Sequence, residues 1–196
     1  RVLSHWLPRL CILITTFPIA KPVNSQSVYW TDDAYLNEKV RRTTLDDGVT
    51  EDLIVRSGVV SPNGIALSAE QAKLYIACGL YGRVVHANQD GMGTATPIAT
   101  GLTDASFVAV DETGGKVYWV DAYRSGVAGR ILRANLDGSN VETIVTADGF
   151  KPSGLALDLL EGRLYFATYG TGVMSRVNLD GSNRESFVVP SLGSPF

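Results

Sequence analysis

An all-β chain, folded as a β-propeller of four-stranded blades, is what this sequence predicts, and three observations predict it. Tyrosines followed by a bulky apolar residue recur at Tyr29-Trp30, Tyr75-Ile76, Tyr118-Trp119 and Tyr165-Phe166, at spacings of 46, 43 and 47 residues. Asp-Gly pairs keep the same phase at Asp47-Gly48, Asp90-Gly91, Asp137-Gly138 and Asp180-Gly181. A third marker, Pro62-Asn63-Gly64-Ile65-Ala66-Leu67, returns as Pro152-Ser153-Gly154-Leu155-Ala156-Leu157. Between them, Ser106-Phe107-Val108-Ala109-Val110-Asp111 holds the same place without proline or glycine. Such a unit cannot bury both of its faces alone, so copies stack, and four-stranded repeats of about 40–45 residues are the signature of propeller blades.

Each unit reads as four short strands. Gly154-Leu155-Ala156-Leu157-Asp158 is short and apolar, which suits an inner strand buried on both faces. The turn Leu160-Glu161-Gly162 leads to Arg163-Leu164-Tyr165-Phe166-Ala167, rich in the aromatics that strands favour. In the third unit Arg130 to Asn135 makes the third strand. Leu136-Asp137-Gly138-Ser139-Asn140 then turns, because Gly and Asn tolerate positive φ. Val141 to Val145 alternates apolar and polar positions as an outer strand does. The repeats start near residues 28, 74, 117 and 164, and the blades are expected over 28–196.

Composition narrows the function classes. The 196 residues are 45% hydrophobic and 19% charged, which excludes whole-chain disorder. A formal net charge of −3 gives no electrostatic reason to expect nucleic acid or a generally anionic membrane as partner. Cys11 and Cys78 are the two cysteines, so no disulfide framework is built, and a buried small hydrophobe is the plain reading of Cys78. His5 and His86 offer neither a zinc site nor a Ser-His-Asp set. The acidic turns bring too few oxygen ligands each for calcium.

Residues 1–27 read as a leader-like or poorly ordered segment. Arg1 and Arg9 precede the apolar run Leu10 to Ile14, and Ala20 closes the stretch, the order seen in secretory leaders. That run is too short to span a bilayer, so no direct membrane insertion is expected from this segment. The alternative is that Ile19-Ala20 is a remnant of an inner strand, ten residues before Tyr29 as Leu155-Ala156 precede Tyr165. Apart from that remnant, the first unit shows no inner strand.

The motif Val28-Tyr29-Trp30-Thr31-Asp32 also identifies a resemblance. With Lys116-Val117-Tyr118-Trp119-Val120-Asp121 and Arg133-Ala134-Asn135-Leu136-Asp137-Gly138-Ser139-Asn140, it resembles the class B (YWTD) repeats of the low-density lipoprotein receptor family, from Val28 to about Val189. Ala77-Cys78 and Ala167-Thr168 depart from the motif where the family usually has Thr-Asp. The resemblance implies a six-bladed propeller in an extracellular protein or receptor ectodomain. Six units at the usual blade length need roughly 240–280 residues, so four units read as an incomplete propeller, as a fragment or as a chain that assembles with other copies.

The resemblance implies a non-catalytic module that binds a protein ligand on the face where the second-to-third-strand loops emerge. Here those loops carry Tyr35, Tyr81, Tyr123 and Tyr169, residues that combine rigid area with a polar tip. Arg124 beside them is a further partner-binding candidate, and Asp33 and Lys151 supply charge. Equally, such tyrosines can cover the ends of blade interfaces. Tyr29, Trp30, Asp32, Tyr118, Trp119 and Asp121 read as structural: aromatics fill the space between blades, and a short acid satisfies backbone donors at a strand end. No cofactor or metal is expected. The alternative is a hydrolase similar to gluconolactonase and strictosidine synthase propellers, suggested by Ser61-Pro62-Asn63-Gly64 and Lys73-Leu74-Tyr75-Ile76-Ala77, with Asn63 at a central metal.

Overall fold

The computed structural model describes residues 11–15, 26–33, 38–55, 58–122, 128–147 and 151–188. Among the described residues, sixteen strands form four antiparallel four-stranded sheets. The first blade contains β1 (Cys11–Thr15), β2 (Ser27–Asp32), β3 (Lys39–Thr44) and β4 (Thr50–Val55). The second contains β5 (Pro62–Ser68), β6 (Lys73–Cys78), β7 (Arg83–Asn88) and β8 (Thr96–Ala99). β9 (Ala105–Asp111), β10 (Lys116–Asp121), β11 (Gly129–Asn135) and β12 (Glu142–Ala147) build the third. The fourth comprises β13 (Pro152–Asp158), β14 (Arg163–Thr168), β15 (Val173–Asn178) and β16 (Glu185–Val188). Within each blade the strands pair in chain order. Among the described residues no helix is long and apolar enough to cross a membrane.

One expectation is corrected here. The first unit has an inner strand: Cys11–Thr15 pairs with β2, opposing Cys11 to Thr31 and Thr15 to Ser27. The apolar run that resembles a leader is the run that pairs, because a short stretch rich in β-branched residues suits a buried strand as well as a leader. Ile19-Ala20 lies outside the described residues.

Blades meet face to face by one rule. The tyrosines of the first three motifs point towards the following blade, and the residues after the tyrosine in the second, third and fourth motifs point back. Thus Tyr29, Val40 and Ile54 pack on Leu74, Ile76 and Val85. Tyr75, Ala77 and Val84 pack on Val117, Trp119 and Leu132. Tyr118, Val120 and Ile131 pack on Leu164, Phe166 and Val177. In β6 and β10 the last five residues are all buried, because both of their faces are covered. β2 and β14 alternate buried and half-buried positions instead. Burying each large side chain contributes about 1.5–3 kcal/mol, so the stacked faces supply most of the core's stability.

Polar ties reinforce the same faces. Gln89 Nε2 donates to the Tyr29 hydroxyl at 2.9 Å. The Tyr75 hydroxyl donates to the Leu136 carbonyl at 2.9 Å. Arg133 Nη1 donates to the Leu179 carbonyl, also at 2.9 Å. Each tie lands on the residue that precedes an Asp-Gly pair in the next blade. In three blades an arginine opposite the tyrosine pairs with a glutamate on the outer strand: Arg42–Glu51, Arg133–Glu142 and Arg176–Glu185. The second blade has His86 at that place, facing Tyr75, with its Nδ1 buried and unpartnered.

Candidate functional site

The loop face is built from two kinds of connection, second strand to third and outer strand to the next inner one. A shared hydrogen bond joins them. Gly79 N donates to Ser61 O, Ala122 N to Asp104 O and Tyr169 N to Lys151 O, at 2.9, 3.0 and 2.8 Å. The residue before each donor is Cys78, Asp121 or Thr168, and all three are buried. Asp121 adds more. Its Oδ1 accepts from Thr103 N at 2.7 Å and Asp104 N at 2.9 Å, while its Oδ2 accepts from Arg130 Nη2 at 2.9 Å. The last motif residue therefore anchors the incoming loop to the blade.

Cys78 carries a free thiol whose pKa is pushed up by burial, as fits a small core residue and not a nucleophile.

The tight turn Gly79-Leu80-Tyr81-Gly82 explains the most exposed site residues. Gly82 N donates to Gly79 O and Leu102 N donates to Gly82 O, both at 2.9 Å. Gly82 has φ +54°, and a Cβ there would meet the Leu102 carbonyl oxygen at 2.0 Å. With both ends fixed, the central residues Leu80 and Tyr81 project outward, 64% and 60% exposed. Tyr169 is 49% exposed but occupies the place of Gly79, not of Tyr81. The two tyrosines therefore reach the same face from different loop positions. Each is stacked by a cation of the chain, Arg83 over Tyr81 at 5.5 Å and Lys151 over Tyr169 at 5.8 Å. Tyr35, Tyr123 and Arg124 lie outside the described residues. Asp33 is half-buried.

Of the motif residues, Tyr29, Tyr118, Trp119 and Asp121 are buried. Trp30 is half-buried on the opposite face of the first blade, with the Arg41 guanidinium 5.7 Å from its ring centre. Asp32 lies 3.8 Å from Arg41. Asn63 donates its Nδ2 to the Ala105 carbonyl at 3.3 Å. Among the described residues no group of three His, Cys, Asp or Glu side chains is placed to hold a metal ion.

One residue of this face escapes sequence reasoning. Where β5 and β13 leave Asn63 and Ser153 unpaired against their neighbours, β9 instead leaves Phe107. Phe107 adopts φ +38°, a left-handed conformation that a glycine fills in one common form of bulge. It is 41% exposed. By register Ala105-Ser106-Phe107 stands where the second blade has Pro62-Asn63-Gly64, so Phe107 takes the glycine's place, a departure in the sequence that does not by itself reveal the bulge.

Comparison with known proteins agrees with this geometry. Residues 115–159 match the family model described as low-density lipoprotein receptor repeat class B. The chain is 38% identical over 96 residues to low-density lipoprotein receptor-related protein 5 of Mus musculus and 37% identical to that of Homo sapiens. Each match covers 48% of this chain and 6% of the relative, so the chain spans a small part of the relatives' length. Among solved structures, a Nidogen/Laminin complex superimposes with a TM-score of 0.77 at 25% identity, over 87% of this chain and 62% of that one. A gluconolactonase from Xanthomonas campestris gives 0.66 at 19% identity, over 87% and 61%, which is a likeness of fold. Blade period, interblade packing and these matches converge: the chain is a β-propeller array whose residues 115–159 carry the low-density lipoprotein receptor class B repeat.

Proposed function

We propose that this chain is a non-catalytic module that binds a protein partner through its loop face, in an extracellular or ectodomain setting. One observation carries the reading: Leu80, Tyr81 and Tyr169 stand exposed on hydrogen-bonded loops at the same end of the blades. Exposed large apolar side chains on a rigid, polar-rimmed surface are the usual material of protein recognition. The matches to a receptor-related protein and to a structure solved as a protein complex support it. Tyr35, Tyr123 and Arg124 belong to the same proposed face.

The test is binding of the fluorescently labelled chain to cell surfaces. A triple variant, Leu80→Ser, Tyr81→Ala and Tyr169→Ala, is expected to lose binding at least about tenfold, as loss of anchor residues does. Leu160→Ser, at an exposed turn between β13 and β14, serves as the control and is expected to bind as the parent chain does. Equal binding by the triple variant would sink the loop-face reading. Metal-dependent lactone hydrolysis lost in Asn63→Ala would replace it with the hydrolase reading.

A further inference from the structure

Where the second strand of a blade ends and the third begins, one cross-strand pair flanks the loop. Asp121 faces Arg130 in the third blade, Cys78 faces Arg83 in the second, and Thr168 faces Val173 in the fourth. In the third blade the two form an ion pair, with Arg130 Nε and Nη2 both donating to Asp121 Oδ2. The fourth blade has neither charge at this pair. The second has the cation without the acid.

Nothing described replaces that acid. Arg83 Nε is buried and has no hydrogen-bond partner. Of the 20 acidic residues only Asp148, between β12 and β13, lies outside the described residues, and no described acid pairs with Arg83. Across the strand stands the Cys78 thiol, held protonated by burial and a weak acceptor at best. The cation nevertheless lies at the surface. Arg83 is half-buried, and its guanidinium carbon is 5.5 Å from the centre of the Tyr81 ring. That ring and the neighbouring Leu80 are the exposed tip of the Gly79–Gly82 turn.

We infer that Arg83, backed by Tyr81, receives the carboxylate of a glutamate or aspartate side chain of the protein partner. The inference rests on the loop-face reading and names the chemistry of one subsite within it. Stacking on the tyrosine occupies a face of the guanidinium, which leaves the terminal nitrogens at its edge to donate charge-assisted hydrogen bonds in the plane. The stacked ring also holds the cation in place before the partner arrives, so less side-chain freedom is lost on binding. A partner carboxylate then supplies to Arg83 from outside the charge that Asp121 supplies to Arg130 from within. The net charge of −3 means that this local cation, and not the field of the whole chain, selects the acid.

The experiment uses the 196-residue chain labelled with 3-fluorotyrosine, with the Tyr81 fluorine resonance assigned by its loss in Tyr81→Phe. The probe is the peptide acetyl-Gly-Glu-Gly-amide, and its glutamine analogue is the neutral control. The expected result is a saturable shift of the Tyr81 resonance with the glutamate peptide and little with the analogue. Arg83→Gln is expected to weaken that titration about threefold or more, with the fold checked by circular dichroism. Cys78→Asp, which puts an acid where the third blade has Asp121, is expected to weaken it as well by pairing Arg83 internally. No shift with the glutamate peptide, an equal shift with glutamine, or an unchanged titration in a folded Arg83→Gln overturns the inference. An equal or larger shift with acetyl-triglycine, whose one carboxylate is its C-terminus, overturns the assignment to an acidic side chain. If the fluorine titration fails while the triple loop variant still loses cell binding, the carboxylate subsite falls alone. If the triple variant binds as the parent does, the loop-face reading itself has failed.

Discussion

Gly138 of the third blade rests against Ile98 of the second so closely that a Cβ on the glycine would lie 2.8 Å from the Ile98 Cβ. The same holds one blade earlier, where a Cβ on Gly91 would meet the Leu53 carbonyl oxygen at 2.6 Å, and one blade later, where Gly181 would meet that of Ile144 at 2.1 Å. The Asp-Gly pair is therefore an interblade contact as well as a turn. Gly48, in the first blade, has φ +69° but nothing within 4 Å of a Cβ. Alanine at Gly48 should cost about 1 kcal/mol, from the left-handed backbone alone. At Gly138 or Gly181 it should cost about 2–4 kcal/mol, because overpacking is added. Urea midpoints of the three variants separate the two contributions.

Asp121 replaces a hydrophobic anchor with a charged one. Asp121→Ala removes the acceptor for two amide hydrogens and leaves Arg130 without its carboxylate, and should destabilise by about 2–4 kcal/mol. Hydrogen exchange offers a local check: the Thr103 and Asp104 amides should exchange faster in the variant, while those of β14 keep their protection.

The substitution of histidine for arginine in the second blade has a consequence for pH. Burial, with the neighbouring Lys73, holds the His86 pKa below its usual 6.5. The unfolded chain then takes up a proton on acidification before the folded one does. Stability should be fully present above the unfolded value and lost as the pH falls through the folded one. His86→Gln should flatten that part of the curve. Denaturant midpoints at steps from neutral pH downward test the sign, and a variant curve parallel to the parent's would refute it.

Burial also pushes the Tyr75 hydroxyl up to about 12, with Asp137 and Glu112 adding to the shift. It stays a donor to Leu136 throughout this range, so the histidine is the group of the pair that titrates.

Phe107→Gly relieves the left-handed backbone at φ +38° but removes a side chain that is more than half covered, and with these contributions opposed stability should change by less than about 1 kcal/mol. Thermal unfolding measures it.

Much of the fold is legible in the sequence because the period is carried by residues with a backbone reason to recur. Gly91, Gly138 and Gly181 need both positive φ and an absent side chain, so their spacing reports the blades directly. The inner strand at Cys11–Thr15 is less legible, since its pairing partner lies beyond a long connection and its apolar run fits two readings. The exposure of Tyr81 and Tyr169 follows from their short loops, whereas the left-handed conformation of Phe107 is not legible in the sequence. A bulge displaced by one residue, between Trp119 and Val120 of the partner strand, changes register without changing composition.

The contact of each glycine turn with the blade before it has a consequence for cooperativity. A blade is coupled to its neighbours only, in the manner of a zipper, and β6 and β10 lie in blades covered on both sides. Opening should start at the terminal sheets and work inward, so slow amide exchange should persist longest in the second and third blades.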